Sequence, residues 1–415
     1  MSRRTRLVGP IAVLLVAVTG CASSGHSSSG SGGTLKLGLI GPLTGVRADV
    51  GSGMVSGANL AIDEINANGG VLGQKVQLFQ QDDAGDPGDA VPAAQKELQS
   101  DHIVAMVGPT ALTESVVLPL IDRANIPDLM WGGGGEFDTV TDPHFFRMSP
   151  SDTEQADAMA VYAASKGWKR VSLAIGSASA DQSLLPEIKA AAAKLGITIV
   201  SQVTITIGST SFRSEIQRLY SNNPQAVLAQ FDIPSAGILF GEVKQEGLSA
   251  TPWVASNLWY STEFFKSLGT EATGPIYIAN PGSTDVVGPA QFLQILKART
   301  GATAPRNGQE AMYDAVTTWA LGADVAGTYK WPKIQDGIVK ASNGPGTACG
   351  DYATCYSMIK AGKAINWDGA GSTVDFDKFH NVFGPFDVLH YQSSGATTTE
   401  VTLTADQIIK ALQNG

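Results

Sequence analysis

The sequence alternates short apolar segments with longer segments of helical periodicity, from Leu35 almost to its C-terminus. Leu35 to Ile40 has the composition of a buried strand, and apolar residues then recur at helical spacing between Ser52 and Asn66. When a helix joins two neighbouring strands of one sheet, the strands are parallel and the crossover is right-handed. The repeated pattern therefore predicts an α/β protein with mostly parallel sheets flanked by helices.

The alternation is interrupted twice, and the interruptions predict two lobes. Residues 135–150 lack the pattern, so we expect the chain to pass from the first lobe to the second near Met148. A stretch rich in Gly and Ser at 281–288 predicts the return. The first lobe then comprises residues 34–147 and about 281–370, and the second comprises residues 148–280 and about 371–415. Two lobes joined by a hinge that the chain crosses several times leave a cleft at the carboxyl ends of the strands, where parallel sheets bind their ligands.

The first 33 residues predict a secretory signal and a lipid anchor. Three arginines precede an apolar run of about 12 residues, which is shorter than the roughly 20 that a membrane-spanning helix needs. The segment Val18–Cys21 resembles a bacterial lipobox, in which the cysteine thiol receives a diacylglycerol. We therefore expect a lipoprotein signal peptide at 1–20, a lipid on Cys21 and a flexible Ser/Gly tether at 21–33, which together anchor the protein to the cell membrane outside the cytoplasm. An ordinary signal peptide with a chance cysteine is the alternative.

The charge of the chain argues against a nucleic-acid partner. The formal net charge is −10, and it becomes −13 when the three arginines of the predicted signal are removed. Nucleic-acid sites need basic stripes that neutralise phosphates, which an acidic chain of this kind does not favour. With 43% hydrophobic residues, the chain has enough apolar content to bury a core in each lobe.

The chain has three cysteines, of which the predicted anchor uses Cys21. Cys349 and Cys355 remain as a pair outside the cytoplasm, where disulfides form and persist. We expect these two residues to form a disulfide that closes a small loop. A metal site is the alternative, although no histidine lies near them in the sequence.

No motif of catalysis or of cofactor binding is complete. Gly-x-Ser-x-Gly and Walker-type sequences are absent, and the glycines from Gly51 to Gly57 match a dinucleotide fingerprint only with the wrong spacing and too far after the strand. The five histidines are scattered, with none paired at helical spacing. Asp82 and Asp83 are neighbours at a strand end and point to opposite sides, which favours turn and helix-capping roles over a catalytic pair. The sequence therefore predicts no enzyme, no cofactor and no bound metal.

A set of ordered segments carries a family resemblance. They are, from the N-terminus, Leu39–Gly45, Gly57–Gly70, Asp82–Pro87, Val107–Pro109, Ile126–Pro127, Arg147–Asp152 and Ala311–Ala315. As a set, spread over residues 34–415, they resemble the type I periplasmic binding proteins, specifically the branched-chain amino-acid (Leu/Ile/Val) receptors of ABC importers. The resemblance implies a two-lobe protein that captures a small polar ligand, such as an amino acid, and delivers it to an ABC permease. A sensor of the same fold, which binds an amide or amino acid and regulates a partner, is the alternative.

The resemblance also implies where the ligand's α-carboxylate is held. In the family, hydroxyls and backbone N–H groups after the third and fourth strands hold it. The matching positions here are Thr110, Ala111, Thr113, Gly132, Gly133 and Gly134. A helix start near Thr113 favours an anion, and glycines let backbone amides approach a ligand closely. The alternatives are a simple N-cap at Thr113 and a hinge-side turn at the glycine run.

The sequence departs from the family pattern at two other positions. Val50 stands where an aromatic side chain often covers the ligand. The acid that holds the ligand's ammonium is expected near Ser256–Asn257, where no carboxylate occurs. We expect Asp181 or Asp232 to replace it, because an ammonium needs a nearby anion. The alternative is that both are solvated loop acids.

The loop that follows the expected strand at 252–255 completes the predicted site. Asn257 stands at the position of the missing acid, and Trp259 and Tyr260 follow as a possible aromatic wall. Packing between the lobes is the alternative role of the two aromatic residues. The departures leave the identity of the ligand open.

Overall fold

The computed structural model describes residues 33–268, 274–282, 286–382, 384–392 and 395–414. All of them belong to one unit that begins at Gly33. The predicted signal peptide at 1–20, the predicted lipid site Cys21 and the predicted tether up to residue 32 lie outside the described residues. Across the described ranges, no helix is both long enough and apolar enough to cross a membrane.

Strands and helices alternate along the described chain. The strands are β1 (Leu35–Gly41), β2 (Val76–Asp82), β3 (Ala105–Thr110), β4 (Asp128–Trp131), β5 (Phe145–Arg147), β6 (Arg170–Gly176), β7 (Thr198–Ile205), β8 (Ala226–Gln230), β9 (Trp253–Ser256), β10 (Ile276–Pro281), β11 (Thr347–Cys349), β12 (Ile365–Trp367), β13 (Phe386–Tyr391) and β14 (Thr397–Leu403). The helices are α1 (Ala48–Ala67), α2 (Pro87–Lys96), α3 (Glu114–Ala124), α4 (Asp152–Ser165), α5 (Ser179–Gln182), α6 (Leu184–Lys194), α7 (Arg213–Tyr220), α8 (Ile233–Gln245), α9 (Thr262–Leu268), α10 (Gly288–Thr300), α11 (Gln309–Ala326), α12 (Lys333–Ser342), α13 (Tyr352–Lys360) and α14 (Ala405–Asn414). Turns of 3₁₀ helix lie at Gly45–Arg47, Gly135–Phe137 and Asn257–Trp259, and a π-helical turn lies at Glu97–Asp101.

The first lobe is built on five parallel strands in the order β2-β1-β3-β4-β5. Successive residues of β3 point to opposite faces of this sheet, so Ala105 and Val107 belong to one buried core and Met106 belongs to another. α1 and α11 supply the first of these cores, and α2 and α3 supply the second. Helices therefore cover both faces, as a parallel sheet requires.

The second lobe is built on seven strands in the order β14-β13-β10-β9-β8-β6-β7. Five of them are parallel, and β13 and β14 add an antiparallel edge. Leu228 of β8 faces a core with α4, α6 and α14, whereas Ala229 faces a core with α7, α8 and α9. The predicted α/β class, with two lobes that each contain a mostly parallel sheet flanked by helices, is confirmed.

In the described part of the chain, the backbone passes between the two sheets three times. The first passage follows β5 and the second follows β10. Before the third, Val374 and Val382 still belong to the core of the first lobe, and Asn381 bridges to Arg147 of β5. Val374 and Val382 therefore pack on the first lobe, and the next strand, β13, belongs to the second sheet; the lobe boundary expected near residue 371 stays a prediction.

Several elements have too little periodicity to be predicted from the sequence. β5, β11 and β12 have three residues each. This is too short to show the alternation of apolar and polar residues, over four to eight positions, that indicates a strand. β14 is mostly exposed threonine and shows no alternation of apolar residues. α12 contains Gly337, which lowers helix propensity, but a Cβ there would lie 2.2 Å from the carbonyl oxygen of Gly322 in α11. Tight helix packing therefore selects a residue that local propensity disfavours.

The two cysteines of the described chain lie at the end of β11 and within α13. The Cα atoms of Cys349 and Cys355 are 5.4 Å apart and their sulfurs are at bonding distance. Both side chains are buried in the core of the first lobe. The geometry fits the predicted disulfide, and the oxidised state itself stays a prediction.

Candidate functional site

A cavity of about 360 Å³ lies between the two sheets, at the carboxyl ends of the strands. From the first lobe it is lined by Pro42, Arg47, Val50, Thr110, Ala111, Leu112, Ser115, Trp131, Gly132, Gly133, Gly134, Glu136 and Asn307. From the second lobe it is lined by Asp152, Gln155, Asp181, Ser183, Gln230, Asn257 and Leu258. Ser149, Pro150 and Pro281 belong to the segments that pass between the lobes. A ligand in this cavity would contact both lobes at once.

Seven of the residues predicted from the sequence line the cavity. They are Thr110, Ala111, Gly132, Gly133, Gly134, Asp181 and Asn257. Thr110 is the last residue of β3 and is only 7% exposed, and its Oγ1 has no hydrogen-bond partner among the described residues. Ala111, Leu112 and Ser115, around the start of α3, continue the lining. The unpaired N–H groups and the dipole of a helix start favour an anion at this end of the cavity.

The glycine run after β4 packs directly against the second lobe. A Cβ on Gly133 would lie 2.0 Å from Oδ1 of Asp152, so a larger residue would displace this carboxylate at the start of α4. The N–H of Gly132 donates to Ser149 Oγ at 3.2 Å. The carbonyl of Gly134 accepts from Arg147 Nη1 at 3.1 Å. The run is therefore held at both ends while its backbone borders the cavity.

Asp152 places a second-lobe carboxyl group on the cavity wall. Burial raises the pKa of Asp152 to about 6, and a hydrogen bond from Ser183 Oγ opposes the shift. Arg147 also opposes it, since its guanidinium stabilises a nearby negative charge. Asp152 is therefore ionised at neutral pH in spite of its burial.

Arg47 and Asp181 form an ion pair that joins the two lobes. Arg47 follows β1 in the first lobe, and Asp181 follows β6 in the second lobe. Nη2 of Arg47 donates to Oδ1 of Asp181 at 3.0 Å. The two side chains are 13% and 1% exposed. Burial raises the pKa of Asp181, and the Arg47 guanidinium opposes this shift. Oδ2 of Asp181 has no hydrogen-bond partner among the described residues.

Thr113 is placed away from the cavity lining that the structure describes. It is fully buried, and its hydroxyl donates to Oδ2 of Asp83 at 2.9 Å. It precedes α3 directly, but its side chain makes no capping hydrogen bond. Thr113 therefore ties the start of α3 to the loop after β2, and Ser115 lines the cavity instead.

Asp232 and Trp259 are also not among the described residues that line the cavity. Asp232 caps α8, where its Oδ2 accepts from the N–H of Ser235 at 3.0 Å, and its charge adds to the raised pKa of nearby Asp181. Trp259 is fully buried, and its Nε1 donates to the carbonyl of Phe231 at 2.8 Å. Local packing thus uses both side chains inside the second lobe.

Trp131, Asp152, Arg47 and Asn307 are among the lining residues that the sequence did not predict. Trp131 directly precedes the predicted glycine run, and Asp152 ends a segment that carries the family resemblance, so both had a signal nearby. Arg47 and Asn307 lie in loops without periodicity and are distant in sequence. Only the packing of α1 against the start of α11 brings these two loops to one cavity.

The glycines from Gly51 to Gly57 allow this packing. A Cβ on Gly53 would lie 1.9 Å from the carbonyl oxygen of Asn307, and one on Gly57 would lie 2.0 Å from that of Gln309. The near-match to a dinucleotide fingerprint therefore reflects a close contact between two helices. This close contact also holds Asn307 at the cavity wall.

The paired acids after β2 order the loops beneath the site. The Asp82 carboxylate accepts from the N–H groups of Leu43 and Ala84 at 2.9 and 2.8 Å. The Asp83 carboxylate accepts from the N–H of Gly85 at 2.8 Å as well as from Thr113. Both residues have the turn-forming role that their position at a strand end predicts.

Among the described residues, one group of side chains has the spacing of metal ligands. It consists of Asp122, Asp142 and His144. Nδ1 of His144 lies 3.0 Å from an oxygen of Asp142 and 3.2 Å from an oxygen of Asp122. These are hydrogen-bond distances, so an N–H shared between two carboxylates accounts for the group without an ion. None of the three residues lines the cavity.

Comparison with known proteins identifies the family. A sequence family described as periplasmic binding protein matches residues 34–396. The chain belongs to the periplasmic binding protein family. The resemblance inferred from the ordered sequence segments is therefore confirmed, and the family places this periplasmic binding protein outside the cytoplasm.

Individual relatives of this periplasmic binding protein agree with the family match. A Leu/Ile/Val-binding protein from Rhizobium johnstonii is 33% identical over 258 residues, which cover 59% of this chain and 67% of the relative. A Leu/Ile/Val-binding protein homolog from Brucella melitensis is 30% identical over 298 residues, which cover 69% of this chain and 77% of the relative. The crystal structure of a leucine-binding protein from Thermotoga maritima has the same fold, with a TM-score of 0.74, 20% identity, and coverage of 90% of this chain and 99% of that one.

Proposed function

We propose that this periplasmic binding protein is the substrate-binding component of an ABC importer and that it holds an amino acid in the cavity between its lobes. Three buried polar atoms on the cavity walls carry the proposal: Thr110 Oγ1, Asp181 Oδ2 and Asn307 Nδ2. None has a hydrogen-bond partner among the described residues, and such atoms are rare in folded proteins. A small polar ligand supplies the missing partners from both lobes at once.

The first-lobe wall suits a carboxylate. Thr110 offers a hydroxyl, and the start of α3 offers backbone N–H groups with the positive end of the helix dipole. The backbone of Gly133 and Gly134 borders the same space. This supports the expected position of the ligand's α-carboxylate.

The remaining charges of the cavity suit an ammonium group. Glu136, Asp152 and Asp181 line it, whereas Arg47 is the cation of the lining and is already paired with Asp181. The excess of carboxylates favours a ligand that carries a positive charge in addition to its carboxylate. A zwitterionic amino acid satisfies both walls.

Apolar surface and the names of the relatives support a branched-chain or other amino acid as the ligand. Val50, Trp131 and Leu258 line the cavity and offer contact to an aliphatic side chain. The relatives from Rhizobium johnstonii and Brucella melitensis carry the name Leu/Ile/Val-binding protein. The volume of about 360 Å³ lies at the lower end of the range of small-molecule sites, which begins near 300 Å³.

Contacts to both lobes provide the link to transport. A ligand that binds the closed lobes better than the open lobes shifts the protein toward the closed arrangement. An ABC permease that recognises the closed lobe surfaces then receives loaded protein in preference to empty protein. In this proposal, a lipid on Cys21 keeps the lobes near the permease at the cell membrane.

A thermal-shift screen over the standard amino acids and their amides tests the ligand class. We expect at least one amino acid to raise the melting temperature at millimolar concentration, since a ligand at 100 times its Kd adds about 2.7 kcal/mol of stability. We further expect Thr110→Val to weaken binding about tenfold, because it removes the unpartnered hydroxyl. Thr113→Val is the control, because the Thr113 hydroxyl bonds Asp83 outside the cavity. The absence of any shift with the whole panel would contradict the proposal.

Membrane fractionation tests the anchor. We expect the protein expressed with its own N-terminus to sediment with membranes and to partition into detergent. Cys21→Ser removes the thiol that accepts the lipid, so the variant is expected to lose this association. Equal membrane association of both proteins would show that Cys21 is not the anchor.

A further inference from the structure

We propose that a side chamber next to the main cavity, with Glu310 in its wall, binds a positively charged nitrogen of the ligand. The inference rests on the proposed function and narrows the ligand to molecules that carry such a nitrogen at one end. The chamber has a volume of about 50 Å³. A cavity of about 10–15 Å³ already holds one water molecule, so the chamber has room for an ammonium group.

The chamber borders the main cavity directly. Both spaces are lined by Trp131, Ser149, Pro150, Asn257, Pro281 and Asn307. These residues include parts of two segments that pass between the lobes. A ligand held in the main cavity can therefore extend a terminal group into the chamber, next to the hinge.

Glu310 gives the chamber its charge. It is the second residue of α11, and its carboxylate makes no hydrogen bond or ion pair with any residue that the structure describes. No Lys, Arg or His is among the described residues that line the chamber. Burial raises the pKa of Glu310 to about 8, and the nearby Asp314 adds to the shift. A cation entering the chamber would supply the counter-charge that Glu310 lacks.

Asn307 is a buried amide on the wall that the chamber and the main cavity share. It is only 8% exposed, it lines both spaces, and its Nδ2 has no hydrogen-bond partner among the described residues. Tyr260 lines the chamber from the second lobe. Burial raises the pKa of Tyr260, and the charges of Glu310 and Asp387 add to the shift, so the phenol keeps its proton. The chamber thus combines one acid with neutral polar groups from both lobes.

The chain holds these groups in place through close contacts. The carbonyl of Asn307 lies against Gly53 of α1, where no Cβ fits. Gly308 has a φ of +77°, and a Cβ there would lie 3.1 Å from the ring of Trp131. Asp314 accepts from the N–H groups of Ala370 and Gly371 at 2.6 and 2.8 Å, which fixes the far wall of the chamber. A preformed wall of this kind lowers the cost of ordering the site on binding.

Two nitrogens of an amino acid can enter the chamber, the α-ammonium and a side-chain ammonium. Both are cationic amines. The α-ammonium reaches the chamber if the carboxylate lies close to Trp131. A side-chain ammonium reaches it if the carboxylate is held at the start of α3 and the side chain extends past Trp131, whose ring face also attracts a cation. Lysine, norleucine, leucine and cadaverine separate these cases, because norleucine lacks the terminal nitrogen of lysine and cadaverine lacks the carboxylate.

Calorimetric titration of these four compounds into the wild type, Glu310→Gln and Glu97→Gln tests the inference. Glu97→Gln is the matched control, because Glu97 is a buried acid of the same lobe whose pKa burial also raises to about 8, and it does not line either space. We expect Glu310→Gln to weaken binding of the compounds whose nitrogen enters the chamber at least tenfold and Glu97→Gln to leave it unchanged. A loss confined to lysine and cadaverine assigns the side-chain nitrogen, and a loss for all three amino acids assigns the α-ammonium.

Proton release gives a second readout that a folding defect does not imitate. At pH 7 the Glu310 carboxyl is mostly protonated, and a cation beside it favours the ionised form. Binding in buffers of different ionisation enthalpy is therefore expected to release close to one proton per ligand from the wild type. The release is expected to disappear in Glu310→Gln and to persist in Glu97→Gln. Asp314 and Tyr260 are the other titratable groups around Glu310, and neither is changed in these variants.

The outcomes separate this inference from the proposed function. Amino-acid binding that is equal in the wild type and Glu310→Gln, without proton release, overturns the inference and leaves the function intact. Binding of cadaverine without any amino acid supports the chamber and contradicts the function. If the wild type binds none of the four compounds while another amino acid of the thermal-shift panel binds, the inference fails and the proposed function stands.

Discussion

At the scale of single residues, the site depends on positions where only one side chain fits. Gly133 separates the β4 loop from Asp152, and Gly53 separates α1 from Asn307. In both cases an extra carbon would displace a cavity-lining residue by more than its packing allows. The small residue is therefore required by its neighbour across the contact, not by its own backbone conformation.

We predict that Gly133→Ala disrupts the site. The new Cβ would lie 2.0 Å from Oδ1 of Asp152, so the carboxylate has to leave its place on the cavity wall and its hydrogen bond from Ser183. We expect the affinity for the amino acid that stabilises the wild type to fall more than tenfold, and the free energy of unfolding to fall by about 1–3 kcal/mol. Calorimetric titration and denaturant unfolding measure the two effects.

Gly135→Ala is the matched control in the same glycine run. Its nearest neighbour, Thr153 Oγ1, would lie 3.7 Å from the added Cβ, which is an ordinary contact. We expect near-normal binding from this variant. Equal losses in Gly133→Ala and Gly135→Ala would contradict the role given to the Asp152 contact.

At the scale of secondary-structure elements, the π-helical turn that follows α2 places the side chain of Glu97 under the first sheet. α2 continues into the π-helical turn Glu97–Asp101, and Glu97 is fully buried beneath β1. A Cβ on Gly38 of β1 would lie 2.3 Å from Oε2 of Glu97. Glycine at position 38 therefore leaves room for the Glu97 carboxyl group against β1. Burial raises the pKa of Glu97 to about 8, since neither of its carboxylate oxygens has a hydrogen-bond partner among the described residues.

We predict that Glu97 lowers the stability of the protein as the pH rises from about 4.5 to about 8. In this range the folded state keeps a proton on Glu97 that the unfolded state has lost, so raising the pH favours unfolding. One such group contributes a slope of up to about 1.4 kcal/mol per pH unit. Burial raises the pKa values of Glu154 and Glu310 to about 8 as well, and they act in the same direction.

Denaturant unfolding between pH 5 and pH 8 measures this dependence. We expect Glu97→Gln to be less sensitive to pH than the wild type, with the largest gain in relative stability at pH 8. The variant keeps the side-chain shape and removes only the ionisation. An unchanged slope would show that Glu97 does not titrate between the folded and unfolded states in this range.

At the scale of the whole molecule, the arrangement of the lobes depends on contacts that cross the cavity. Arg47 and Asp181 join the lobes through a pair that is 13% and 1% exposed. Arg306 and Glu263 also join them, but they are 51% and 36% exposed and their closest atoms are 3.8 Å apart. Removing one partner of a buried pair leaves an uncompensated charge, whereas exposed pairs contribute about 0–1 kcal/mol.

We predict that Arg47→Met favours separation of the lobes. The variant leaves the Asp181 carboxylate buried without its partner, which costs roughly 3–5 kcal/mol in the closed arrangement. Small-angle scattering of the ligand-free protein is expected to give a larger radius of gyration, and ligand affinity is expected to fall. Arg306→Met is expected to resemble the wild type in both measurements. Identical scattering from both variants would show that the Arg47–Asp181 pair does not hold the lobes together.

Most of the fold was predictable because periodicity is local. The alternation of strands and helices follows from the spacing of apolar residues within each segment. The family follows from the order of the matching sequence segments along the chain. Elements without such spacing, including β5 and β14, became visible only through their strand partners. The packing of Val374 and Val382 on the first core likewise became visible only in the structure.

The sequence by itself determined the α/β class, the two lobes and the family, and it predicted that the loops after the third and fourth strands form part of the site; these loops line the cavity. Only the tertiary structure decided which side chains of those loops meet. Thr110, Asp181 and Asn307 are distant in sequence and line one cavity, whereas Thr113, Asp232 and Trp259 are used by neighbouring packing and hydrogen bonds. The physical reason is that periodicity fixes an element from within, while the direction of a loop side chain is fixed by the elements that pack against it.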